Sequence, residues 1–280
     1  MDVRYSANRQ DFRRYTTKEV RDEFLITGLY RPDEVVAVYS HVDRMVVLGC
    51  MPVSEVVSID DGLDVWKCFG TKFLLERREL GMFNIGGAGA VIADGRRFEL
   101  GYKDCLYITR GTEKIAFESA DYGNPARFYM VSATAHKSCE TKLITIAQAA
   151  KQPTGDSKTA NKRVINQFIH PSVLETCQLT MGLTCLDEGS VWNTMPAHTH
   201  ERRMEIYTYF EIPEDNVVFH IMGEPSETRH IVMQNGEAVI SPSWSVHSGC
   251  GTSSYSFIWA MGGENQEFTD MDAIATVELR

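Results

Sequence analysis

The chain has 280 residues, 43% hydrophobic and 24% charged, the make-up of an ordinary globule long enough for one or two sizeable cores. A formal net charge of −10 argues against nonspecific nucleic-acid binding, and it means that an anionic ligand needs a locally cationic pocket. Residues 1–18 carry scattered charges and no apolar run of secretory kind, no segment reaches transmembrane length, and the seven cysteines are odd in number with no C-x-x-C pair, the usage of a reduced cytoplasmic protein.

In chain order, residues 17–24 give the first helical pattern. Residues 35–40, 44–48 and 53–59 then read as strands, followed by 90–93, 105–109 and 126–131. Asp94-Gly95 lies between two such runs and is a strong hairpin signal. Gly86-Gly87-Ala88-Gly89 leads into a strand and not a helix, so it reads as a tight β turn and not a phosphate loop. Residues 141–150 carry a second short helical pattern. The polar, Pro- and Gly-bearing stretch 151–163 reads as a linker or long surface loop. Beyond it, 174–186, 206–212, 216–222, 230–233, 238–240 and 255–261 again read as strands.

A weak internal repeat joins the halves. Glu76-Arg77-Arg78-Glu79-Leu80 parallels Glu201-Arg202-Arg203-Met204-Glu205, and the run 100–108 parallels 235–240. A period above one hundred residues means a duplicated domain and not a solenoid. The expected fold is all-β: two β-sandwich or jelly-roll barrels with a few short helices. The expected domains are 1–150, a linker at 151–163, and 164–280.

The chemistry concentrates in the second half, in Pro196-Ala197-His198-Thr199-His200-Glu201-Arg202-Arg203-Met204-Glu205 and, much later, His247. On an extended strand His198 and His200 share a face. Glu205, Tyr207 and Tyr209 share a face of the next alternating run, and a bend between the runs brings Glu205 beside the histidine pair. Neutral imidazoles plus a carboxylate suit one borderline divalent ion, such as Zn²⁺, Mn²⁺, Fe²⁺, Ni²⁺ or Co²⁺. The first half has Phe73 and Leu75 where the second has His198 and His200, so one metallated and one structural barrel are expected. His41, His136, His170 and His230 show no partners of this kind, and His220 reads as a satisfied interior histidine.

The spacing His-x-His-x(4)-Glu, with Gly236, Pro242 and His247 downstream, resembles the two motifs of the cupin superfamily. The stretches 39–44, 73–81, 84–89, 174–179, 192–196 and 240–245 further resemble the bacterial 5-keto-4-deoxyuronate isomerases, and the likeness spans the chain. The resemblance implies a bicupin and a ketol isomerisation of an acyclic 4-deoxy-5-keto-uronate from pectin or related polyuronides. It implies one divalent metal per chain, zinc, held by His198, His200, Glu205 and His247, and a homohexamer. Nucleic-acid and membrane partners are not expected. Candidate bases are Glu201 and Glu205, with a nearby Tyr or His also open. Arg202 and Arg203 are candidates for the substrate carboxylate, although Arg77-Arg78 repeats the pair in the metal-free half and favours a structural role for at least one. The alternatives are a cupin dioxygenase and a sugar-acid-binding cupin without catalysis.

Overall fold

A computed structural model describes residues 1–280 and divides them into two compact units. The first comprises 1–4, 28–150 and 168–180; the second comprises 5–27, 151–167 and 181–280. Strands dominate, and no helix is long and apolar enough to cross a membrane.

The first unit has a seven-stranded sheet in the order Asp2–Arg4, Val35–Ser40, Val46–Cys50, Phe128–Thr134, Arg78–Asn84, Cys105–Ile108, Lys142–Ile144. Its four-stranded sheet runs Val57–Ser58, Ile115–Ser119, Gly89–Ala93, Arg96–Leu100. Asp94 and Gly95, with φ of 46° and 81°, close the expected hairpin in the left-handed region that a two-residue turn demands. Leu48, Leu75, Leu80, Met82, Phe117 and Phe128 belong to one buried apolar cluster inside this unit.

The second unit repeats the plan. Its seven-stranded sheet runs Ala150–Thr154, Arg163–Ile169, Thr180–Leu186, Ser256–Gly263, Arg203–Phe210, Ala238–Ser241, Leu25–Ile26. Its four-stranded sheet runs Trp192–Asn193, Val246–Gly251, Val218–Glu224, Glu227–Met233. A short pair joins His198–Thr199 to Asp272–Ala273. The helix Thr17–Phe24 forms as expected, because Thr16 and Glu19 make a reciprocal capping box at its start. It buries Val20 and Phe24, and the Phe24 ring meets Phe12 at 5.6 Å.

The structure corrects the sequence reading in three places. Residues 151–163 are not a linker: Ala150–Thr154 is a strand, Ser157–Thr159 a short 3-10 turn, and Arg163 opens the next strand. The units therefore do not split at one point, since each recruits an edge from elsewhere in the chain; Leu25–Ile26, for example, pairs with Ala238–Ser241. Residues 141–150 are not helical, because Lys142–Ile144 pairs with Cys105–Ile108 as an edge strand, and pairing overrides a weak helical pattern. Of the strand expected over 174–186 only Thr180–Leu186 forms. The residues before it are held instead by the buried Glu79 carboxylate, which accepts the backbone N–H groups of Cys177, Gln178 and Leu179 at 2.7–2.8 Å and the Tyr107 hydroxyl at 2.7 Å.

Candidate metal centre

His198 sits in the short strand His198–Thr199, and Ala273 stands opposite it. The backbone N–H of His200 then donates to the Ser243 carbonyl at 3.2 Å. A turn at Glu201-Arg202 reverses the chain into Arg203–Phe210, where Arg203, Glu205 and Tyr207 alternate inward. His247 lies in Val246–Gly251, opposite Met222.

These four side chains converge. One ligand atom from each of His198, His200, Glu205 and His247 lies within 4.8 Å of all the others. His198 Nε2 is 3.1 Å from His200 Nε2 and 2.9 Å from His247 Nε2, and His200 Nε2 is 2.7 Å from Glu205 Oε1. Edges near 3 Å are what donors bound at about 2.0–2.2 Å around one ion produce. As a pure hydrogen-bond network the cluster is poor, because two facing Nε2 atoms can share only one proton. His200 Nδ1 lies 2.8 Å from the Asp270 carbonyl and His247 Nδ1 lies 3.3 Å from that of Ser245. A proton on Nδ1 satisfies each carbonyl and leaves Nε2 as a lone pair, the usual outer-shell arrangement around a metal.

Electrostatics fit the same donor set. Burial, then the neighbouring His247, pushes His198 down to about 2. Burial also lowers His247. Burial alone would raise Glu205, but the facing imidazoles outweigh it and hold the carboxylate well below its ordinary range. Neutral imidazoles beside an ionised carboxylate are the protonation states a metal requires. Burial, then the Glu205 charge, raises Tyr207, so its hydroxyl stays protonated.

His198, His200 and Glu205 line a cavity of about 260 Å³. That is below the ~300–1,000 Å³ of sites for drug-sized ligands and suits one small molecule. Its apolar wall includes Ile165, Phe257, Trp259, Met261 and Phe268. Gly182 is required there, since a Cβ would come within 2.2 Å of the Trp259 ring. Tyr207 Oη is 3.0 Å from Thr194 Oγ1. Thr194 holds this position at φ 50°, a conformation costing a β-branched residue roughly 1–3 kcal/mol.

The remaining sequence candidates fall in different places. Glu201 is exposed and does not line the cavity. Arg202 also lies outside the lining and pairs with Asp270 at 2.5 Å and Asp272 at 3.2 Å. Arg203 does line it, but its Nη1 group donates to Asn265 and the Glu267 carbonyl and its Nη2 group to the Phe268 carbonyl, while its buried Nε has no partner. His220 is interior and satisfied, between Tyr209 Oη at 2.8 Å and Ser241 Oγ at 3.3 Å. The sequence reading missed Arg163, Thr194 and Trp259 as cavity residues. The alternation Arg163-x-Ile165 was available, but Arg163 fell at the end of the stretch 151–163 read as linker, so the pair was split across a boundary.

A profile of the KduI/IolB family matches residues 62–277. The chain belongs to the KduI/IolB family. It is 54% identical over 280 residues, the full length of both chains, to the 4-deoxy-L-threo-5-hexosulose-uronate ketol-isomerase of Salmonella paratyphi A. Among solved structures, an IolB-like protein from Salmonella typhimurium LT2 superposes with a TM-score of 0.65 at 12% identity, covering 82% of this chain and 87% of that one. Lactobacillus farciminis oxalate decarboxylase gives 0.55 at 11% identity, covering 79% and 78%. These two likenesses establish the paired-barrel fold, which supports more than one chemistry.

Proposed function

We propose that this KduI/IolB family member is a metal-dependent ketol-isomerase that converts 4-deoxy-L-threo-5-hexosulose uronate to 3-deoxy-D-glycero-2,5-hexodiulosonate in polyuronide breakdown. The reaction is supported by the full-length identity to a relative of that name. The observation that carries metal dependence is the convergence of three Nε2 atoms and one carboxylate oxygen on one point, with His198, His200 and Glu205 also lining the cavity. The family resemblance favours zinc among the borderline divalent ions that suit this donor set. A homohexameric, cytoplasmic enzyme completes the reading; the resemblance supports the assembly, and seven free cysteines support a reducing compartment.

When bound, a divalent ion supplies Lewis acidity to the carbonyl beside the C–H bond that must break. The chain supplies the rest. His198 and His247, lowered by burial, stay neutral as donors, and Glu205 stays ionised. Proton movement from C2 to C1 needs a group at the cavity wall, and Tyr207, protonated and directed by Thr194, stands beside Glu205. The apolar wall excludes water from the reacting carbons.

The deciding experiment follows the keto acid by NMR with purified protein, before chelation, after it, and after zinc is restored. Conversion should stop and resume. Conversion unaffected by complete metal removal would overturn metal dependence, and no conversion by zinc-loaded protein would overturn the reaction. Circular dichroism should keep its strand signal throughout, since two apolar barrels of this size need no metal staple. Tyr207→Phe should lower kcat by about 10²–10⁴-fold, the range for general acid–base groups, with zinc content unchanged.

A further inference from the structure

A substrate that is a sugar acid presents two ends to this cavity. Its aldehyde end belongs at the four-donor cluster, so its carboxylate lies a six-carbon chain away and needs a cation there. Three arginines are candidates by position, and they differ in how many N–H donors remain free.

Arg202 is committed to Asp270 and Asp272 and does not line the cavity. Arg203 lines the cavity, yet three of its five N–H donors hold the segment 265–268, which leaves its Nε–H and one Nη2–H. Arg163 also lines the cavity, and its Nη1 group donates to the Asn161 carbonyl at 2.6 Å. No acidic side chain pairs with it. A guanidinium carries five N–H donors, so about four remain for a ligand.

The sheet order gives the distance. Arg163 and Glu205 sit on strands separated by two others, Thr180–Leu186 and Ser256–Gly263. Three strand spacings are roughly 14 Å from backbone to backbone. Arg163 and the donors His198, His200 and Glu205 line the same cavity, and this strand separation is on the scale of a six-carbon chain with the side chains that hold its ends. Thr184 and Trp259, from the intervening strands, line the floor between them. The Arg163 guanidinium is half-buried and burial lowers its pKa, but an arginine side chain stays charged in proteins. A desolvated cation without a counter-ion is costly, and a ligand carboxylate would relieve that cost.

We propose that Arg163 is the residue that recognises the terminal carboxylate of the substrate, across the cavity from the His198, His200, Glu205 and His247 cluster. The proposal rests on the uronate reading above and names the group that gives that site its preference for an acid.

The test compares the uronate with its C6 methyl ester, using zinc-loaded wild type, Arg163→Gln and Arg163→Lys. Turnover and calorimetric binding are both measured. Arg163→Gln should raise KM and Kd for the acid by about 30-fold or more, the scale of a lost buried charge contact, and leave kcat within roughly threefold. The ester should bind wild type and variant alike. Arg163→Lys should recover part of the acid affinity, since it restores charge without the planar fork. Equal losses on acid and ester, or no loss on the acid, would overturn the proposal. If Arg163→Gln does not fold, Arg163→Lys decides by the same acid-over-ester comparison. Calorimetry separates the two readings: acid preference without turnover would count against the reaction, whereas turnover with acid preference intact in Arg163→Gln would count against Arg163.

Discussion

The second barrel places His200, Glu205 and His247 where the first places Leu75, Leu80 and Phe117. Strand register supports the last two matches. Leu80 and Glu205 are each third in their strands, Arg78–Asn84 and Arg203–Phe210. Phe117 pairs with Val91, two residues before the end of its hairpin arm, and His247 pairs with Met222, also two before the end of its arm. In the first barrel Leu75, Leu80 and Phe117 join one apolar core. Burying each such side chain contributes roughly 1.5–3 kcal/mol. The second barrel forgoes that packing and keeps a cavity into which polar side chains reach from an otherwise apolar wall. The arginines at the strand starts tell the same story. Arg78 Nε donates to Ser132 Oγ at 3.0 Å, whereas Arg203 Nε has no partner. One scaffold thus serves once for stability and once for chemistry.

The largest expected effect comes from moving the plug across. His200→Leu, Glu205→Leu and His247→Phe together should abolish metal binding and cut turnover by roughly a thousandfold or more, since the Lewis acid is worth several kcal/mol. The variant should stay folded, because apolar side chains often replace buried polar clusters at no cost. Elemental analysis and the NMR assay read the outcome. Stoichiometric zinc in the triple variant would show that the ligands have been misassigned.

The reverse exchange should harm the other barrel. Leu80→Glu puts a carboxylate among Leu75, Met82 and Phe117 with no imidazole to face it. An uncompensated buried charge costs about 3–5 kcal/mol. Urea unfolding should show that loss with no gain of bound metal. A stability change below about 1 kcal/mol would mean that the first barrel is not the plugged counterpart described here.

The candidate donor cluster was legible because a strand's two-residue period fixes which side chains share a face, and the His198/His200 and Glu205/Tyr207 pairs follow it. The duplicated all-β plan was legible for the same reason. Other parts left weaker traces. Arg78–Asn84 is buried on both faces, so its residues do not alternate. Val246–Gly251 carries two glycines and little apolar pattern, although it delivers His247. Arg163 was hidden because a Pro- and Gly-bearing stretch reads as loop, while edge pairing made strands on both sides of it. The ion pairs of Arg202 with Asp270 and Asp272, and its place outside the cavity lining, decided between Arg163 and Arg202, and no local spacing encodes them.

A smaller effect separates the barrels by their buried carboxylates. Glu205 faces imidazoles, whereas Glu79 accepts three backbone N–H groups and the Tyr107 hydroxyl. Glu79→Gln keeps the shape but turns a donor group toward those N–H groups. The expected cost is about 2 kcal/mol, with faster amide exchange at Cys177, Gln178 and Leu179 and unchanged zinc content. Unaltered exchange at those amides would mean that the carboxylate does not hold the segment.

The smallest effect per step is set by pH and distinguishes the barrels by where their buried histidines lie. Burial, reinforced by the neighbouring His247, lowers His198 to about 2 and His220 to about 3. Both belong to the second unit, whereas His41 and His136 of the first are exposed. The unfolded chain binds protons on such imidazoles below about pH 6.5, and the folded metal-free chain does not. Their contribution is therefore fully present above about pH 6.5 and is lost as pH falls toward 3 and then 2. The slope is at most about 1.4 kcal/mol per pH unit for each histidine. Trp192, Trp244 and Trp259 lie in the second unit and only Trp66 in the first, so tryptophan fluorescence during urea unfolding reports mainly on the second barrel. In metal-free protein its midpoint should drop clearly between pH 7 and pH 5, and His220→Phe should reduce that drop. An identical midpoint at both pH values would mean that the buried imidazoles titrate as freely in the fold as in the unfolded chain.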